Sequence, residues 1–527
     1  MSSPRPEAVQ LELFTHRFAS VARQMGEMLR RTAVSTNIKE RLDFSCGLLD
    51  AAGVLVVNAP HIPVHLGALG LCVRTLRRSI AMEPGDVVVT NHPAFGGSHL
   101  PDVTVVTPVY EHEEDGGALI GHVASRAHHA EIGGSRPGSM PPGARRLIEE
   151  GVVIPPTHLV RREELRGDQM LRWDQMRSLL LSGPYPTRAI EENLADLRAA
   201  VAANHRGAEV LRALAREHGR ETVKRYMEAL AERAKDRLEA ALARLPAGRF
   251  AAVERLDDGA QLCVSIEVEG RRARIDFTGS AGVHPGNLNA PPAVVRSAVL
   301  YVLRLLIAEP LPLNEGLLLP VEILVPPGML NPPFPDDPAD CPAVVGGNVE
   351  TSQRLVDTLV KALRLAAGSQ GTMNNLLFGN RRFGFYETVC GGAGAGPGFH
   401  GASAVHTHMT NTRITDPEVL EHRYPVRLER FAIRAGSGGA GRWRGGDGAV
   451  RELTFLESVS LSLLSQHRVE RPYGMEGGEP GQPGRQRLVR ASGEVQELSP
   501  IDGCEVGPGD RLILETPGGG GWGEPAV

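Results

Sequence analysis

A chain of 527 residues with 42% hydrophobic and 23% charged residues holds more apolar material than one ordinary domain needs, and reads as a globular protein built in several units. Lysine and arginine total 57 against 62 acidic residues, a net charge of −5, which speaks against nucleic acid or a membrane surface as partner. No run reaches the roughly 18 apolar residues of a membrane helix. The first residues lack a secretory h-region, and six cysteines without a CxxC pair fit reduced thiols; a cytoplasmic location is therefore expected, and a cysteine-built metal site is not.

In chain order, residues 1–35 predict a helix, with Leu11, Phe14, Phe18, Val21, Met25 and Leu29 recurring along one face. From Asp43 to Thr107 short β-branched runs such as Val54–Val57 and Asp86–Thr90 alternate with glycine and proline, a strand texture. Two more strands, Val103–Tyr110 and Leu119–Ser125, flank a polar turn. Residues 160–245 are rich in Ala, Leu, Arg and Glu and suit about three or four amphipathic helices. Phe250–Gly279 returns to alternation, and apolar helices follow at Pro292–Ile307 and Ser352–Ala367. From Gly371 onward glycine pairs and the run Gly518–Gly521 separate short strands, which predicts a loop-rich β region using backbone conformations that only glycine takes. The expected class is α+β and multi-lobed, with mixed or antiparallel β-rich N- and C-terminal regions and a helical insertion in the middle. The expected units are 1–159, 160–245, 246–370 and 371–527.

Histidine carries the chemistry. Of 18, eight fall between His61 and His129, where even spreading would put about two, the excess of a metal or proton-transfer site. His99-Leu100-Pro101-Asp102 can aim an imidazole and a carboxylate at one point, and a strand, a turn and a returning strand bring Ser125–Gly134 alongside. That offers His99, Asp102 and one of His128 or His129 to a divalent ion with coordination positions left open. Taken singly, each histidine is as well explained by capping a loop. His61 and His65 alternate, giving a substrate wall or a second layer around the metal. Arg41 and Asp43 are an ordinary ion pair or, more sharply, a substrate contact and a fourth ligand. Thr407–Arg413 offers donors to a polar pocket. Ser437 lacks a Gly-x-Ser-x-Gly elbow, the Gly391–Gly398 run lacks the setting of a phosphate cradle, and no glycine precedes any of the lysines at 39, 224, 235 and 361. There is thus no Walker-type loop, so any ATP chemistry is expected on another chain.

The strings Asn37–Ser45, His61–Gly67, Gly96–Asp102, Ala124–Gly134, Gly347–Gln353, Ser369–Asn375, His408–Tyr424 and Thr516–Gly521 resemble the hydantoinase B / 5-oxoprolinase family, in order and over nearly the whole chain. The resemblance implies a B-type subunit working with a separate A-type chain of the actin-like ATPase superfold, which holds ATP and Mg, to open cyclic amides such as 5-oxoproline, hydantoins or lactams. Carried over onto this sequence, the divalent-metal ligands fall on His99, Asp102 and His128, with Asp43 added; two imidazoles with one carboxylate suit zinc, manganese or iron, of which zinc or manganese is expected. His129 or Glu131 would then move the proton, and Arg41 and His65 would face the substrate. The chain departs from the family pattern at His92 and at Glu131. Two other readings stand beside hydrolysis: a subunit of an ATP-dependent ketone carboxylase, and a non-catalytic scaffold for the ATPase subunit.

Overall fold

The structure, a computed structural model, describes residues 7–58, 62–112, 116–162 and 169–525. Helix α1 (Glu7–Thr32) buries Phe14, Phe18, Val21, Met25 and Leu29, the stripe its 3.6-residue period predicts. A short turn α2 (Thr36–Lys39) leads into an antiparallel sheet. Its strands are β1 (Phe44–Asp50), β2 (Leu55–Asn58), β3 (Val87–Thr90), β4 (Asp102–His112), β5 (Gly116–His128) and β6 (Thr157–Val160), in spatial order β2-β1-β5-β4-β3-β6. Helix α3 (Ala68–Ser79) covers one face. The other face is covered by α1 together with α5 (Ile190–His218), which follows α4 (Gln169–Leu180) and precedes α6 (Arg220–Leu242). Among the described residues the predicted helices between 160 and 245 are three, and α5 and α6 share one apolar core with α1 and the sheet. At the tightest point Gly207 of α5 lies so near Met25 that a Cβ would sit 2.4 Å from its sulfur.

A meander follows: β7 (Gly248–Arg255), β8 (Gln261–Glu269) and β9 (Arg272–Asp276), with β10 (Val321–Leu324) added parallel to β9. Leu262, Val264, Ile266 and Val268 of β8 alternate inward against α7 (Pro292–Leu305) and α8 (Ser352–Ala362). Helix α8 is entered through a π-helical turn, Gly347–Thr351, and stops five residues before the sequence pattern suggested.

The rest is a pair of stacked sheets. One comprises β11 (Asn375–Gly379), β12 (Gly384–Glu387), β15 (Val459–Leu464) and β18 (Ile501–Val506). The other comprises β13 (Val426–Arg434), β14 (Gly448–Phe455), β16 (Arg485–Val489), β17 (Val495–Glu497) and β19 (Arg511–Glu515), and helix α9 (Pro417–Arg423) precedes β13. Phe378, Phe455, Leu461 and Leu512 fill the space between them. The class expected from the pattern, α+β with several antiparallel sheets around central helices, is the one observed. The glycine runs have a different cause from the one expected. None of Gly391, Gly392, Gly438, Gly439, Gly445, Gly446 or Gly518–Gly521 has a positive φ. Instead, these segments lie backbone against backbone: Gly446 N–H donates to Ala393 O at 2.9 Å, and Gly519 N–H to Gly446 O at 2.8 Å. A Cβ on Gly519 would fall 1.9 Å from Ala393 O, so the constraint is space rather than torsion. No described helix is long and apolar enough to cross a membrane.

Candidate metal centre

Successive residues of a strand face opposite sides of its sheet. Phe44, Cys46, Val103, Val105 and Ala127 enter the core beneath α1 and α5, whereas Leu49, Val106 and Ala124 enter the one beneath α3. Ser45, Asp102, Thr104, Arg126 and His128 have the second parity, so the polar side chains collect on the α3 side. Asp102 and His128 are direct partners across β4 and β5, which brings their side chains together without any loop geometry.

His99 arrives by a reversal after β3. Asn91 fastens it: its amide donates to Leu100 O and Val152 O, both at 2.9 Å, and its carbonyl accepts from Ile154 N at 2.7 Å. His92 caps the turn Pro93–Phe95 by accepting from Ala94 N. Gly96 then takes φ +83°, packed so closely that a Cβ would be 2.6 Å from the Cys72 backbone. Arg126 donates to Gly96 O at 2.8 Å and ties the loop to β5.

The result is compact. Asp102 Oδ1 lies 3.2 Å from His99 Nε2 and 3.4 Å from His128 Nδ1, and one ligand atom from each of the three residues falls within 4.8 Å of the others. All three are buried. Burial lowers the His128 pKa below its ordinary 6.5, which leaves a neutral imidazole with a lone pair at neutral pH. Burial would raise the Asp102 carboxyl, but the facing His99 and His65 hold it well below its ordinary value. Both ring nitrogens of His99 are buried, without a hydrogen-bond partner among the described residues. Orphaned imidazole nitrogens converging on a carboxylate oxygen are the donor set a divalent cation takes.

Around these three, Asp102 Oδ2 accepts from Ser98 Oγ at 2.5 Å and from His65 Nε2 at 3.2 Å. The Tyr386 ring stacks on His128 with centroids 4.6 Å apart, and the Arg41 guanidinium lies 4.7 Å from the Tyr386 centroid. Arg41 is fully buried and donates to Tyr386 O, Thr388 Oγ1 and Thr412 Oγ1.

The structure sorts the remaining predicted residues. Asp43 accepts His128 N–H on its backbone carbonyl, and its carboxylate sits 3.9 Å from Arg41, outside the three-residue cluster. His65 has both nitrogens engaged, on Ser45 and Asp102, so it stands behind the carboxylate rather than facing a substrate. His129 has the opposite parity to His128; its Nδ1 meets the Asn193 amide of α5 at 3.1 Å. Glu131, expected to move a proton, spends its oxygens on Gly133 N, Gly138 N and Arg188, which clamps the 131–138 loop. His61 lies outside the described residues. Of Thr407–Arg413, Thr412 joins the Arg41 shell while His408 pairs instead with Asp357 at 2.9 Å. Tyr386 and Thr388 had no sequence signal, being isolated in the distant β region. Ser45 and Ser98 could have been found from their parity or spacing to Asp102.

An antiparallel six-stranded sheet followed by a meander and a glycine-packed double sheet is a large α+β architecture already seen in solved structures. The ATP-dependent caprolactamase from Pseudomonas jessenii superposes with a TM-score of 0.85 at 24% identity, covering 99% of this chain and 92% of that one. Acetone carboxylase in its nucleotide-free state does so with 0.85 at 18% identity, over 98% and 76%. The pattern of the hydantoinase B/oxoprolinase family matches residues 7–525, and the chain belongs to that family. It is 45% identical to 5-oxoprolinase 1 of Arabidopsis thaliana over 540 residues, 98% of this chain but 42% of the relative. The chain spans about two fifths of the length of this and the other 5-oxoprolinase relatives it matches.

Proposed function

We propose that the chain is the B-type part of an ATP-dependent hydrolase of cyclic amides, acting on a 5-oxoproline, hydantoin or lactam ring. ATP and Mg would be held by a separate A-type ATPase chain. The observation that carries this reading is the buried convergence of His99 Nε2, His128 Nδ1 and Asp102 Oδ1. The family membership and the missing phosphate loop support it. A lactam carbonyl is a poor electrophile because amide resonance is lost on addition, which gives the partner's ATP a purpose.

His99, Asp102 and His128 would hold the ion, zinc or manganese by donor type. When bound, the ion supplies Lewis acidity and lowers the pKa of water. The chain's own residues supply the surroundings. Tyr386 fixes the His128 ring plane, and Arg41 behind it adds a fixed positive charge that favours developing negative charge on a ring carbonyl. Asp43, whose backbone carbonyl accepts the His128 N–H, would add negative charge beside the ligand set rather than a ligand atom of its own. Asn193 holds the His129 ring on the opposite side of the strand, away from the ligand set.

The purified chain is expected to carry one divalent ion, lost in His99→Ala and Asp102→Asn. Mixed with its A-type partner and ATP, it should release ADP and open-chain acid from one of these rings. Full turnover by the metal-free protein, or by His99→Ala, refutes the reading. The fold shared with acetone carboxylase favours a second reading, a ketone carboxylase subunit. Bicarbonate uptake into a ketone, with no lactam opened, selects it.

A further inference from the structure

Asp102 is held asymmetrically. Its Oδ1 faces the two imidazoles, while its Oδ2 already has two partners, Ser98 Oγ at 2.5 Å and His65 Nε2 at 3.2 Å. The acceptor-only carboxylate sets the direction of each hydrogen bond in the chain behind it. Ile62 N–H donates to Ser45 Oγ at 3.3 Å. Because an ionised carboxylate only accepts, a neutral His65 ring must carry its proton on Nε2 beside Asp102 Oδ2, and its Nδ1 then accepts from the Ser45 hydroxyl at 3.1 Å. His65 Nε2 therefore donates to Asp102 Oδ2, as does the Ser98 hydroxyl.

We propose that His65 and Ser98 are positioning residues that keep Asp102 a one-oxygen ligand. The inference rests on the metal-centre reading given above. With Oδ2 occupied by two donors, the carboxylate cannot turn both oxygens toward one cation. The protein then contributes a single atom each from His99, Asp102 and His128, and a four-coordinate ion keeps a place for water or substrate. Ser45, His65, Ser98 and Asp102 are all buried, so water does not replace a lost donor at no cost. The parity that puts Ser45 and Asp102 on one sheet face and the turn Pro63–His65 above them builds the set from three separate segments.

The test uses the full chain, stripped and titrated with Co2+, with affinity from chelator competition and geometry from the visible absorption of the ion. Wild type should show the intense bands of low coordination. His65→Leu and Ser98→Ala should each bind Co2+ about 10- to 100-fold more weakly, with weaker bands as the freed oxygen swings in and coordination rises. His65→Gln, whose side-chain amide can donate to the same oxygen, should stay close to wild type in both. Should His65→Leu fail to fold, Ser98→Ala and His65→Gln, with thermal melts of the stripped proteins, decide the matter. Folded His65→Leu and Ser98→Ala with wild-type affinity and spectrum overturn the inference alone. A wild-type chain that binds no Co2+ overturns the metal reading and the inference with it.

Discussion

The packing of the glycine segments can be tested at Gly446. A Cβ there would lie 1.9 Å from Ala402 O and 2.4 Å from Ala402 C, about 1 Å inside the closest approach a methyl group makes to a backbone oxygen. Both neighbours are backbone, so no rotamer change relieves the clash and the segments must separate. Separation strains two hydrogen bonds, Gly446 N to Ala393 O and Gly519 N to Gly446 O, each worth about 1 kcal/mol net. Overpacking adds about 1–3 kcal/mol. Gly446→Ala should therefore cost about 3–5 kcal/mol. The control is Gly507→Ala in the same lobe, where a Cβ meets nothing within 4 Å and φ is not positive; it should be neutral or stabilise by up to about 1 kcal/mol. Urea unfolding of both variants, followed by near-UV signals and by calorimetry to separate lobes, measures the difference. Equal midpoints for the two variants would refute close backbone approach as the reason for these glycines.

Glu350 is buried in the π-helical turn, accepting from Met373 N at 3.0 Å and Asn375 Nδ2 at 2.7 Å, and burial raises its pKa from 4.5 to about 8. The folded state thus favours the neutral acid. The stability it contributes is complete below about pH 4.5 and is lost as pH climbs through about 8, at up to about 1.4 kcal/mol per pH unit. Glu350→Gln, which mimics the neutral form, should flatten that decline in denaturant titrations between pH 5 and 8; parallel profiles would contradict it. Glu315 is a buried staple, accepting from both Nη atoms of Arg74 at 2.8 Å, from Arg296 and from Leu55 N. Glu315→Ala strands two partly buried guanidinium groups and should cost about 3–5 kcal/mol in urea, against little for the exposed pair partner Glu191→Ala at Arg177.

The strand alternation made much of the site legible in advance. Asp102 and His128 lie 26 positions apart yet meet because β4 and β5 pair them directly, and their shared parity is visible in the string once the strands are recognised. The same parity separates His128 from His129, a choice that spacing between clusters leaves open and that alternation closes. Glu131 stands out in the string because a carboxylate three residues from a candidate ligand suggests chemistry; its bonds to Gly133 N, Gly138 N and Arg188 depend on a loop whose shape the string does not disclose. Tyr386 was invisible for a different reason: its role comes from a contact between segments far apart in sequence, which no local period encodes. The glycines were noticed for the wrong cause, since a run of them signals freedom of φ, whereas here neighbouring main chains leave no room for a side chain.

His99, Asp102 and His128 are each at most 2% exposed. β4 and β5 lie in the middle of the six-stranded sheet, so an ion seated among these residues would leave through a local opening of the 93–99 turn. Exchange would then follow the rate of that opening rather than the strength of the competing chelator. Loading and loss of an ion would then be slow steps set by the fold, whatever the equilibrium affinity of the site.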